Sequence, residues 1–202
     1  MSEAYPVLGT ESIFTGNVIS LHLDRVQMRD GAVALREVVD HPGAVGVVAL
    51  DDDGTILLVN QYRHPVGVRL DELPAGLLDV DGEPALLAAQ RELAEEAGVT
   101  ATDWHVLVDL HTSPGMSNEA IRLFLARGLA PVPDEDRFRP EHEEITLTVH
   151  RVQLDDAVGR VFAGSLTNAA AVAGILATAH GVATGWAALR PADSPWPARP
   201  GH

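Results

Sequence analysis

The segment AGLLDVDGEPALLAAQRELAEEAGV, residues 75–99, constrains this chain more than any other stretch. Apolar residues at 86, 89, 93 and 97 follow the period of a helix with one buried face. Pro84 at its first turn and Gly98 just past its end stand where a helix favours them. The same helix brings Glu92, Glu95 and Glu96 onto one side, about 5–6 Å apart. Like charges at that distance repel by roughly 1 kcal/mol in water and several times that where partly buried, and the dipole at a helix C-terminus also disfavours anions. Glutamate pairs on helices usually belong to solvated faces. Here, however, a glycine loop precedes the helix and Arg91 sits among the carboxylates. Hard oxygen ligands on a rigid scaffold suit Mg²⁺ or Mn²⁺, so the helix reads as half of a metal site.

Around this helix the chain is mostly strands. SIFTGNVISLHLDRVQM and AVALREVVD alternate apolar and polar residues about Asp30-Gly31, which predicts an antiparallel hairpin or meander. AVGVVAL (44–50), the turn DDDG (51–54) and TILLVNQYR (55–63) predict a second pair of strands, central in the sheet. WHVLVDLHTS, IRLFLARGL and ITLTVHRVQL are further strands, and NAAAVAGILATAHGVA is an Ala-rich helix. RPADSPWPARPGH, with four prolines, predicts an irregular or disordered tail. Grouped strands with few helices favour an α+β domain, a mixed sheet flanked by helices, over a doubly wound fold. No dinucleotide fingerprint, P-loop, Gly-x-Ser-x-Gly elbow or His-Glu-x-x-His motif occurs, and those chemistries drop out.

Charge narrows the partners. With 29 acidic against 14 basic residues, the long-range field repels nucleic acid and anionic membranes, and an anionic substrate needs local help. The absence of cysteine fits a reducing compartment. The first residues lack a signal-peptide pattern, and no stretch approaches the roughly 18 unbroken apolar residues that span a bilayer. The expectation is a cytoplasmic protein.

Gly76, Glu83, Arg91, Glu92, Leu93, Glu95, Glu96, Gly98 and Val99 together resemble the signature of the Nudix hydrolases. One departure is visible: six residues, Leu77 to Gly82, separate Gly76 from Glu83, one more than the family pattern holds. The register from Glu83 onward is intact. ELPAG before the signature and TSPGMSNE after it, with Pro114 fifteen residues beyond Val99, resemble the ADP-ribose pyrophosphatase branch, although the second run is also ordinary turn chemistry. The resemblance covers roughly residues 40–180.

The resemblance implies a Nudix fold with an N-terminal antiparallel sheet extension. It divides the chain into 1–43 for dimerisation, 44–185 for catalysis and 186–202 as a Pro-rich tail. It implies Glu92 and Glu96 as main metal ligands, Glu95 as an auxiliary one with a catalytic part, and a backbone carbonyl at Ala75 or Gly76. Glu83 and Arg91 become a supporting pair and Gly76 the loop's structural glycine. From the acidic run PEHEEIT, Glu141 is the candidate general base, Glu143 a further ligand or alternative base, and Glu144 the runner-up. Two or three Mg²⁺ ions, or Mn²⁺, are implied per site. Arg63 in NQYRHP is the preferred phosphate-binding residue, with Arg36, Arg69 and Arg122 as further candidates. Phe14 and Tyr5 are candidates to stack on adenine, with core or edge packing the more ordinary role for each.

The expected activity is hydrolysis of ADP-ribose to AMP and ribose 5-phosphate by a homodimer that binds neither nucleic acid nor membrane. Alternatives are hydrolysis of another nucleoside diphosphate sugar, such as GDP-mannose, and a non-catalytic nucleotide sensor. The complete glutamate set and the lack of a basic helix-turn-helix extension speak against a sensor.

Overall fold

The computed structural model describes residues 4–133, 135, 146–187 and 189–199. Its strands form three sheets. β1 (Val7–Thr15), β2 (Ser20–Gln27) and β3 (Val33–Asp40) make an antiparallel meander, as the alternation predicts. The turn at Asp30-Gly31 closes with Met28 N–H donating to the Ala32 carbonyl at 2.8 Å. This sheet meets the rest of the chain at a bridge between Val39 and Ser117 and through Asn118, whose amide donates to Asp40.

The central sheet runs β11–β8–β9–β4–β7, where β4 is Ala44–Ala49, β7 Ala75–Leu77, β8 Val99–His111, β9 Ala120–Pro131 and β11 Arg190–Pro191. β4 and β9 are parallel and the other pairs antiparallel, so the sheet is mixed. Every residue of β4 is buried because both faces are covered, which explains its Val-rich, non-alternating sequence. Val45, Val47 and Ala49 join Phe124 and Ala126 of β9 in the apolar layer beneath α1 (Ala85–Ala97). Ala44 and Val48 join Ile121, Leu123 and Leu125 in the layer beneath α2 (Leu154–Phe162) and α3 (Ala169–Thr184). The third sheet is antiparallel, in the order β10–β5–β6, with β5 Thr55–Arg63, β6 Val68–Glu72 and β10 Thr148–Gln153. Among the described residues no helix is long and apolar enough to cross a membrane.

Three expectations change. β4 and β5 are not a paired hairpin: the DDDG turn forms, with Asp51 N–H on the Thr55 carbonyl at 2.9 Å, but beyond the Leu50–Ile56 bridge the two arms enter different sheets. Each finds longer-range partners that bury it better, β4 against β9 and β5 against β10. The tail is irregular but docked, since β11 extends the central sheet and Trp196 packs against the layer beneath α1. Pro84 is the N-cap of α1 rather than part of its first turn. The short β6, β7 and α2 go unread in the sequence, being only a few residues each or merged with a neighbouring apolar run.

Candidate active site

β7 lies antiparallel to β4, with Gly76 opposite Val45, and the chain then turns through residues 78–84 into α1. Helix α1 is held to the sheet by Ala88, Ala89 and Leu93, all fully buried, so its opposite edge carries the glutamates back over β7. Glu96 Oε2 accepts the Ala75 amide at 2.8 Å. Glu92 lies so close to Gly76 that a Cβ there would sit 2.0 Å from Oε1 and 2.1 Å from Cδ. This glycine is therefore required by space.

Arg91 organises the remaining carboxylates. Its Nε and Nη2 grip Glu83 at 3.2 and 3.1 Å, while Nη1 donates to Glu92 at 2.7 Å and to Glu95 at 3.1 Å. The Glu83 hydrogen bonds foremost, then the Glu92 charge and hydrogen bond, raise the Arg91 pKa against the opposing effect of burial. The last turn of α1 contains no basic residue, and Gly98 closes it in the left-handed region at φ 65°. Arg91 is thus a cation that offsets Glu92 and Glu95 near a helix C-terminus.

The donor set fits a divalent ion. Glu92 and Glu96, four residues apart, both reach the backbone at Ala75–Gly76, where no side chain stands between carboxylate and loop. Hard carboxylate and carbonyl oxygens are the ligands Mg²⁺ and Mn²⁺ prefer. Among the described residues no three acidic or histidine side chains already converge as a cation cage, since Glu92 and Glu95 lean to Arg91 and Glu96 to the Ala75 amide.

The arginines separate into different roles. Arg63, at the end of β5, makes a bidentate pair with Glu72 at 3.0 and 2.6 Å; Glu72 is buried, whereas Arg63 stays half exposed. Arg69 donates to the Asn60 side chain at 2.6 Å, and to the Asn60 and Thr146 carbonyls at 2.7 Å each. Arg36 lies on β3 of the N-terminal sheet and bonds the Leu35 carbonyl at 2.8 Å.

Arg122 sits differently from the other three. It is 3% exposed, paired with both oxygens of Asp109 at 2.7 and 3.0 Å, bonded to the Ser194 and Pro195 carbonyls at 2.6 and 3.0 Å, and stacked 4.9 Å from the Trp196 ring. Four of its five N–H donors are engaged, two by Asp109 and two by the tail carbonyls. Tyr5 and Phe14 are both exposed on or beside the N-terminal sheet, Tyr5 under the Arg29 guanidinium at 5.9 Å, so neither packs in the core. Glu141, Glu143 and Glu144 lie outside the described residues.

Sequence reasoning assigned no role to Glu72, although it opens the ELPAG run. Its signal is an acid four residues before Gly76; the structure pairs it with Val59 of β5 and brings it to Arg63. Asp109 and Trp196 were also missed, because nothing local marks them as partners of Arg122.

A mixed sheet between helical layers, with the Gly76 loop closed against α1 glutamates, defines the class of protein. Residues 40–167 match the NUDIX domain model, more than half of the chain, and the chain belongs to the Nudix hydrolase family. It is 48% identical over 198 residues to an ADP-ribose pyrophosphatase of Mycobacterium tuberculosis, covering 97% of this chain and 93% of that protein. An ADP-ribose pyrophosphatase of Bacillus subtilis is 40% identical over 151 residues, 75% and 80% of the two chains. A solved ADP compounds hydrolase superposes with a TM-score of 0.75 over 91% of this chain and 97% of its own, at 21% identity, a likeness of fold.

Proposed function

We propose that this protein hydrolyses the diphosphate of ADP-ribose to AMP and ribose 5-phosphate with the help of Mg²⁺, or Mn²⁺ in its place. The observation that carries the reading is the paired approach of Glu92 and Glu96 to the Ala75–Gly76 backbone. It is supported by the likeness along nearly the whole chain to the M. tuberculosis ADP-ribose pyrophosphatase.

Glu92 and Glu96, with the Ala75 carbonyl, would hold the cation set, and Glu95 would assist. Two or three bound divalent ions supply charge neutralisation at the diphosphate and a lowered pKa for water. Glu83 keeps Arg91 in place, and Arg91 turns Glu92 toward the loop. Arg63 presents a half-exposed guanidinium fixed by Glu72, so a substrate phosphate meets an oriented donor rather than a freely rotating one. Arg69, held by the Asn60 side chain and the Asn60 and Thr146 carbonyls, is a further candidate donor to phosphate. In this scheme Glu141 takes the proton from the attacking water, with Glu143 as a further ligand or the alternative base.

The N-terminal sheet belongs to a homodimer in this reading, with residues 1–43 the dimerising unit, 44–185 the catalytic unit and 186–202 an appended tail. Val7, Leu8, Ile13, Phe14, Val33 and Leu35 are all exposed on a three-stranded sheet, and a second subunit would cover them. Light scattering on the purified protein tests this: a dimer mass is expected, and a monomer at micromolar concentration contradicts it. The cytoplasm is the compartment proposed for it.

The test of the activity is a panel of nucleoside diphosphate sugars incubated with Mg²⁺, with release of nucleoside monophosphate followed by chromatography. ADP-ribose should be cleaved fastest. Equal rates for ADP-ribose and GDP-mannose would remove the specificity, and no hydrolysis of any member would remove the enzyme reading.

A further inference from the structure

Helix α1 begins without the usual side-chain cap, because its N-cap is Pro84. The turn before it holds one residue more than the family signature. Backbone bonds hold its two ends, Leu78 N–H on the Gly43 carbonyl at 3.0 Å and Glu83 N–H on the Val80 carbonyl at 3.1 Å, and the C-terminal segment lies against it. Arg190 pairs with Asp109 at 2.8 Å as β11 joins β8. Arg122 then clamps the Ser194 and Pro195 carbonyls and stacks on Trp196, which packs into the same apolar layer as Ala88, Ala89 and Leu93 of α1.

From this anchor the chain reaches Arg199, whose Nη2 donates to the Glu83 carbonyl at 3.3 Å. The Glu83 carboxylate holds Arg91, and Arg91 holds Glu92 at 2.7 Å. Arg199 also walls two cavities. One, of about 510 Å³, lies between the tail and the first turn of α1; the other, of about 600 Å³, lies between residues 77–82 and Asn17-Val18 of the N-terminal sheet. Open space thus lies beside the loop and beside the first turn of α1, and Arg199 lines both.

We propose that residues 190–199 are a positioning strap. Arg122 and Trp196 fix the strap to the sheet, and Arg199, acting through Glu83 and Arg91, sets the orientation of Glu92 and hence the cation affinity of the Glu92–Glu96 site. This rests on the metal-site reading above.

The test uses the full-length protein with Arg199→Ala, Arg199→Lys and Glu96→Gln, none of which touches the apolar core. Amide hydrogen exchange is measured on the metal-free protein, and Mn²⁺ binding by electron paramagnetic resonance. Loss of one hydrogen bond in Arg199→Ala predicts about three- to tenfold faster exchange in residues 78–84 and an affinity for Mn²⁺ weaker by about the same factor. The unfolding midpoint should fall by no more than the loss of that one hydrogen bond accounts for, and Arg199→Lys should restore part of both effects. If Glu96→Gln loses Mn²⁺ while Arg199→Ala keeps the exchange and affinity of the parent, the strap is refuted and the metal site stands. If Glu96→Gln binds Mn²⁺ like the parent, the metal-site reading fails and the strap falls with it.

Discussion

An alanine at position 76 would place its Cβ 2.0 Å from Oε1, 2.1 Å from Cδ and 2.5 Å from Cγ of Glu92. Backbone strain is not the obstacle, because Gly76 is not among the glycines at positive φ. Ordinary contact begins at 3.4 Å, so the carboxylate must retreat by about 1.4 Å. Leu93 beside it is fully buried and holds the helix in place, so the Glu92 side chain must do the moving, out of the position in which Arg91 holds it at 2.7 Å. Such overpacking costs about 1–3 kcal/mol of stability. A ligand moved by about 1 Å costs on the order of 10²-fold in rate. For Gly76→Ala we therefore expect kcat/KM for ADP-ribose to fall about a hundredfold, and activity to require more Mg²⁺. AMP release across a Mg²⁺ titration, beside urea unfolding, measures both. A variant with unchanged kcat/KM and unchanged Mg²⁺ dependence would refute the placement of Glu92 against the loop.

Other outcomes follow from the same geometry. Glu96→Gln keeps volume while deleting a ligand charge, and should lower turnover by about 10²-fold or more with the urea midpoint retained; near-normal turnover would retire the ligand set. Arg122→Met breaks a buried ion pair and frees the Ser194 and Pro195 carbonyls, so urea unfolding should show a loss of about 3 kcal/mol, and a loss under 1 kcal/mol would mean the tail is not anchored as described. Burial pushes the Asp109 carboxyl up, but hydrogen bonds from Arg122 and Arg190 outweigh it and hold the pKa below the ordinary 3.8. A lowered carboxylate pKa contributes stability that is complete above 3.8 and lost as pH falls through the folded-state value. The melting temperature should therefore drop below pH 3.8, and Asp109→Asn should shrink that drop; equal acid limbs for parent and variant would contradict it.

How far the sequence reveals the molecule depends on the range of the interactions involved. Helix α1 was legible because its signals are local: the period of its buried face, Pro84 at the start and Gly98 at the end. The same helix set the spacing of Glu92, Glu95 and Glu96, so their gathering on one side of it was legible too. The N-terminal meander followed from alternation and one turn. The pairing of β4 was not legible, since the DDDG turn forms as its residues dictate while the strand's real partner, β9, lies more than seventy residues away. Arg122 shows the same limit for a side chain. Its residue type suits a phosphate, but Asp109 and the tail carbonyls reach it first, and only tertiary structure brings them there. Four prolines predicted an irregular or disordered tail, but its first two residues join the sheet as β11, and the backbone beyond them docks where an aromatic ring and a buried guanidinium hold it.

The most direct test of the central claim is anomalous diffraction from a crystal of this protein soaked in Mn²⁺. The account predicts a peak bounded by the carboxylates of Glu92 and Glu96 and the carbonyl of Ala75. Manganese bound only at other sites, with these oxygens unligated, would contradict it.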